Sequence, residues 1–270
     1  MKKYRLVKII IAFVLLVGLV LAFPFSRSLA VMSVYSAAEQ RDSVLKNEGV
    51  RIRLPGGFST PEKDWYPFVI TFNADYFGAY VNRPVDLTIL YNFGAFNPAV
   101  GCSSFYNPKS DYFDAFYGAY VIKSHDGNVF GYLDNGTLDV AEMAKVFEYD
   151  MNVLVLQSLG CASPEFGYTL TGTGETTIDG RVYDVVDAKI TTQSPLHHVA
   201  DFQNAYFQYG SPKRLFIQKD FKNTSVYGRI YASELPDQNI TLCFYIIAPN
   251  PQTIEACEAD MIDQAKVILK

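Results

Sequence analysis

Residues 168–190 decide the fold: Tyr168–Ile178 reads YTLTGTGETTI, Asp179-Gly180 follows, and Arg181–Ile190 reads RVYDVVDAKI. Two runs rich in Thr, Val, Tyr and Ile flank a two-residue Asp-Gly turn. Such a turn supplies the positive φ angles that match the twist of an antiparallel pair, so the stretch predicts a long β-hairpin. Working outward, His125-Asp126-Gly127-Asn128 between Tyr117–Lys123 and Val129–Leu133 predicts a second hairpin by the same logic. Val50–Leu54 alternates and stops at Pro55-Gly56-Gly57. With Phe68–Phe72, Val85–Tyr91, Leu215–Gln218, Ser225–Ser233 and Thr241–Ile247, about nine or ten strands are expected.

Two helices interrupt them. Asp139 and Glu142 have the spacing of a capping box, and Val140, Met143, Ala144, Phe147, Met151 and Leu154 mark one apolar face up to Gly160. Asn250-Pro251 opens the second, an N-cap followed by proline at the first helical position. Ile254, Cys257, Met261, Ala265 and Ile268 are its expected buried stripe, with Glu255 and Glu258 near its start and Lys266 and Lys270 near its end. The expected class is α+β: an antiparallel sheet flanked by helices.

The N-terminus adds a third element. Lys2, Lys3, Arg5 and Lys8 precede an unbroken apolar run, Ile9 to Phe23, that Pro24, Phe25 and Ser26 end. A basic flank stays on the cytosolic side while the run enters the bilayer, so the rest of the chain is expected outside the cytosol. Leu6–Phe25 is just long enough to span, since a crossing needs about 20 residues. A cleaved signal peptide, cut after Ala30, is the competing reading. Helical spacing of Val31, Val34, Ala38 and Leu45, ended by Gly49, favours an uncleaved anchor with a short stalk; an N-terminal helix of the mature domain is the other account. The expected organisation is an anchor or signal segment at 1–27, a helical stalk at 28–49 and an extracytoplasmic domain at 50–270.

Charge follows the same partition. Five of the 23 Lys and Arg precede residue 30 and none of the 28 Asp and Glu does. The remainder holds 18 cations against 28 acids, a formal charge of −10. An acidic domain repels phosphate backbones, so nucleic acid is excluded as an expected partner. Cys102, Cys161, Cys243 and Cys257 all lie on the exported side and are candidate disulfide formers. Local placement favours Cys243–Cys257, leaving Cys102 with Cys161; four buried thiols are the alternative. No CxxC occurs, against a redox or paired-knuckle zinc site. Three sequons, at Asn135, Asn223 and Asn239, read as chance occurrences behind a short Lys-rich N-terminus of bacterial type.

The opening Val50-Arg-Ile-Arg-Leu-Pro55, the internal Thr177-Ile-Asp-Gly180 and the closing strand-then-helix together resemble PsbP/Mog1-type domains. The resemblance covers residues 50–270 in layout. It implies an α/β/α sandwich in an extracytoplasmic or adaptor setting, mostly in binding modules rather than enzymes. The aromatic insertion at residues 92–116 departs from that pattern.

Aromatics crowd Trp65–Tyr132, and Asn92–Phe116 is rich in Gly, Asn, Pro, Ser and Asp, which reads as a long loop. Tyrosines on a polar loop offer large amphipathic area at low entropy cost, so Tyr106 and Tyr112, with Trp65, are the candidate ligand-binding residues. The alternative is that most of these rings fill a core. His197-His198 with Asp201 supplies too few ligands for zinc, which needs at least three from the protein. Gly172-Thr-Gly174 lacks the rest of a phosphate loop, and neither GxSxG nor HExxH occurs. Gly101-Cys102-Ser103-Ser104 offers a nucleophile without a placed histidine. No cofactor and no metal are expected. The expected function is a membrane-anchored, non-catalytic binding or assembly domain of the cell envelope, for a protein, peptide or glycan. An envelope hydrolase with paired carboxylates or an unrecognised Ser, and a structural subunit of an envelope complex, are the alternatives.

Overall fold

A computed structural model describes residues 2–56, 60–64, 68–92, 96–97, 99–199, 209–212, 217–218 and 220–269. Its helices are α1 (Lys2–Ala22), α2 (Pro24–Glu39), α3 (Val44–Asn47), α4 (Ala79–Val81), α5 (Val140–Glu148) and α6 (Pro251–Cys257). Its first strands are β1 (Val50–Arg53), β2 (Pro55–Gly56), β3 (Thr60–Asp64), β4 (Phe68–Phe72), β5 (Val85–Asn92), β6 (Phe96–Asn97) and β7 (Cys102–Ser103). The remainder are β8 (Phe116–Ser124), β9 (Gly167–Ile178), β10 (Arg181–Gln193), β11 (Asn223–Leu235), β12 (Ile240–Ala248) and β13 (Lys266–Leu269). The α+β expectation holds, with one apolar helix ahead of it.

Seven strands form one sheet in the order β4-β5-β8-β12-β11-β10-β9, with every neighbouring pair antiparallel. The Asp179-Gly180 turn has φ angles of 51° and 77°, the positive values the sequence demanded, and joins β9 to β10. Side chains alternate across the central strand β12. Cys243, Tyr245 and Ile247 face one core, which α5 covers with Met143, Val146 and Phe147. Leu242, Phe244 and Ile246 face the other, which α6 covers with Ile254, Cys257 and Met261. The sheet is therefore buried on both faces over its middle, and every residue of β12 is buried.

The capping residues behave as read. The Asp139 side chain accepts from the Glu142 N–H at 3.1 Å, and Asn250 accepts from the Thr253 N–H at 2.9 Å. Glu142 does not complete the box. Its carboxylate accepts from the Gly131 N–H at 2.8 Å and from Arg83 at 2.8 Å. Arg83 also grips Asp126 and the Asn128 carbonyl. These bonds explain why the expected hairpin after β8 is missing: β8 already has β5 and β12 on its two sides, so the chain leaves the sheet at Ser124. Only an isolated Tyr132–Leu138 bridge remains of it.

Two further expectations change. The last helix stops earlier than its stripe suggested: α6 continues as a π-helical turn, Glu258–Ile262, and Lys266–Leu269 instead pairs with β1. Ile268 is thus a half-exposed strand residue opposite Arg51. The Leu215–Gln218 strand lies largely outside the described residues, and Ile217–Gln218 is not a strand.

The N-terminal segment departs most from a stalk. Tyr4–Ala22 is the single described helix long and apolar enough to cross a membrane, with a mean hydropathy of 2.6, and none of it is buried. Phe23 is extended at φ −113°, and Pro24 restarts the chain as α2. This second helix docks on β4, burying Ser28, Val31, Met32 and Ser36. The Ser36 hydroxyl accepts from the Val69 N–H at 3.1 Å, and a Glu39 carboxylate oxygen accepts from the Thr71 N–H at 3.0 Å. Residues 28–49 belong to the folded domain.

Met32, 1% exposed, is the test of that docking. Met32→Ala is expected to lower stability to chemical unfolding by about 2–4 kcal/mol, the cost of emptying a core site. A free stalk would leave the unfolding midpoint where it is.

Candidate functional site

Between the end of α2, the short α3 and β1 lies a groove of about 550 Å³, within the range of ligand-binding clefts. Its walls follow from local sequence. Ser43 caps α3, its hydroxyl accepting from the Lys46 N–H at 3.2 Å and donating to the Gln40 carbonyl at 3.0 Å. Gly49 takes a positive φ of 68°, which turns the chain from α3 into β1. A polar seam holds this corner on the sheet. The Val44 N–H donates to the Thr88 hydroxyl at 3.0 Å, and Thr88 and Thr71 share a hydrogen bond of 3.1 Å.

The groove's chemistry is one-sided. Val50, Ile52 and Val69 make an apolar floor, and Arg41, Lys46 and Arg51 stand along it. Among the described residues, no Asp or Glu lines it. Glu48, the nearest acid in sequence to β1, is turned to Lys123 at 3.1 Å. In a domain with a formal charge of −10 beyond residue 30, this lining makes the groove locally cationic, with the Lys46 ammonium donating to the Arg41 carbonyl at 3.2 Å. β1 pairs with β13 alone among the described residues, so the floor is the side of a two-stranded ribbon.

A second polar feature is buried. Asp150 sits where α5 passes into the π-helical segment Tyr149–Leu156. Tyr91 donates to one of its carboxylate oxygens and Tyr120 to the other, the latter at 2.6 Å. Burial pushes the carboxyl up to about 6, against the lowering pull of the two tyrosine hydrogen bonds. Tyr120 stacks on Tyr245 at 4.4 Å with Phe147 edge-on. The adjoining cavity is only about 20 Å³, the room of one water and too little for a substrate. Asp150 is a structural tie between helix and sheet.

The residues expected to bind ligand lie elsewhere. Trp65 falls outside the described residues. Tyr106 is half-buried and packs edge-on against Phe105 at 4.9 Å. Tyr112 is half-buried too, and its hydroxyl donates to Asp260, tying the loop to the π-helical end of α6. The expected exposed tyrosine loop is instead folded onto the domain. The anticipated Cys243–Cys257 bond is absent: all four cysteines are free and buried. Cys243 faces the α5 core and Cys257 the α6 core, so the sheet stands between their sulfurs. Burial raises both thiols, Cys257 to about 12, which leaves them protonated and unreactive. Cys102 is also raised by burial, and Ser103 donates to the Tyr209 carbonyl at 3.4 Å. His198 is buried in a stack on Phe221, His125 meets Asp86 at 2.9 Å, and Asp201 lies outside the described residues. No group of three or more metal-ligating side chains occurs among the described residues. The chain matches no protein-family model, no curated protein and no solved structure.

Asp150 sets a pH dependence. Its folded value lies above the ordinary carboxylate value, so its contribution to stability is full below about pH 3.8 and is lost as pH rises through about 6. Asp114, pushed up to about 7 by burial, adds a slope of the same sign. Comparing unfolding free energies from pH 4 to 7, Asp150→Asn is expected to flatten the decline by on the order of 2 kcal/mol, leaving the Asp114 part. An unaltered pH profile would show that Asp150 ionises as freely folded as unfolded.

Proposed function

We infer that this protein is a membrane-anchored, non-catalytic domain of the cell envelope that holds an extended, acidic peptide segment of a partner protein. The observation that carries the reading is the cationic groove with its apolar floor, set in an otherwise acidic domain. An extended peptide fits because the groove runs beside the β1 ribbon, where main-chain hydrogen bonds supply affinity and alternate side chains supply specificity. Acidic side chains would meet Arg41 and Lys46, and apolar ones would meet Ala37 and Leu45.

The extracytoplasmic side rests on the basic residues before α1, and retention of the anchor rests on α2. A cut after Ala30 would fall inside α2, beside the buried Ser28 and Val31.

The test uses the full chain in detergent and a fluorescein-labelled decapeptide of alternating Glu and Val. Fluorescence anisotropy is expected to report binding that weakens as salt rises from about 0.05 to about 0.5 M. Arg41→Glu with Lys46→Glu should weaken it at least about tenfold while the unfolding midpoint holds. Binding that ignores both changes would remove the groove from the function. The mass of the mature protein provides a separate check: it is expected to include residues 1–30, and a chain beginning at Val31 would end the anchored reading.

A further inference from the structure

The two edges of the sheet are treated oppositely. At β4 the outward amides of Val69 and Thr71 are occupied by Ser36 and Glu39 of α2. At the other end β9 has β10 on one side and no described strand on the other. It is twelve residues long, and only Ile178 of them is buried. Edge strands are commonly blunted with Lys or Pro, yet Gly167–Ile178 has neither and carries a single charge, Glu175. Its one irregularity, an extra residue at Thr171 against β10, leaves Gly172–Ile178 regular.

We propose that β9 pairs antiparallel with β9 of a second copy of this chain, joining two sheets into one of fourteen strands. The composition of the strand is what selects a second copy. On a domain of formal charge −10, most encounters between two copies are repulsive, and this strip is nearly neutral. With the two-fold axis at Gly174, Thr173 faces Glu175 and Gly172 faces Thr176 within the regular stretch, and the extra residue at Thr171 ends the register there. No charge directly faces its like. Glycine on the axis allows close approach, for a Cβ built at Gly174 has nothing within 4 Å of it.

The flank supports the same contact. Tyr168 and Leu170, 40% and 46% exposed, continue an apolar trough that runs beneath α5 past Phe166, Val186 and Ile190. Joining the strands would cover part of this row. Two anchors in one membrane confine the copies to a plane and raise their effective concentration. The proposal stands independently of the peptide groove, which lies at the opposite edge of the sheet.

The test is the oligomeric state of the full chain in detergent by analytical ultracentrifugation. Wild type is expected to be dimeric. Gly174→Lys, at an exposed position where an added Cβ meets nothing within 4 Å, places lysine opposite lysine on the axis and should raise the dissociation constant at least about tenfold without moving the unfolding midpoint. Gly174→Cys is expected to give a covalent dimer on mild oxidation, whereas the exposed Val100→Cys should not. A monomeric wild type, leaving the edge to some other chain, would overturn the proposal. So would a dimer that survives the lysine at 174 and fails to cross-link through the cysteine there, since α1 would then be holding it.

Discussion

The bonds from Ser36 and Glu39 to the amides of β4 are the interaction on which the rest depends. An open sheet cannot leave backbone donors buried and unpaired, because each costs on the order of 1–3 kcal/mol. Once α2 is needed to satisfy Val69 and Thr71, its position is set along the strand. The turn at Gln40–Ser43 and the cap on α3 follow, and the Val44–Thr88 bond pins α3 to the next strand. The groove is the space left between this corner and β1. Its shape is a by-product of sealing an edge.

Much of the architecture could be read before any coordinates. The Asp-Gly turn, the alternating runs and the two N-caps are local signals with local causes, and they survive in the fold. The failures share a different cause. The hairpin expected after β8 had good turn chemistry, but β8 is a central strand and both its sides were taken. The stripe through Ala265 and Ile268 continued a helical period, but the backbone of β1 lacked a partner and Lys266–Leu269 supplied one. The cysteine pairing ignored which face of β12 Cys243 occupies. Each is a decision made by distant parts of the chain.

The candidate site was the least legible. Arg41, Lys46 and Arg51 are ordinary charges in sequence and line one groove only when the chain folds back at Gly49. Asp150 did carry a signal. It lies three residues after Phe147 and seven after Met143, so it interrupts the apolar face of the helix with a carboxylate. A charge there must find partners, and Tyr91 and Tyr120 are those partners. The tyrosines of the long loop misled for the converse reason. Polar neighbours suggested exposure, while their rings and hydroxyls had partners within the domain.

The link between the apolar helix α1 and the sheet has a mechanical consequence. Phe23 and Pro24 break the helix once, and from Ser28 onward α2 is fastened to β4 by buried side chains and by amide bonds. A flexible tether of some twenty residues would let the domain sample many orientations above the bilayer. A docked α2 leaves only the single extended residue at Phe23 as a hinge. The β4 edge is then held near α1, and β9 lies six strand spacings or about 29 Å away across the sheet. If α1 anchors the chain as proposed, a sheet with one edge held and the other edge open, on a surface whose net charge discourages random contact, would restrict where two copies can meet.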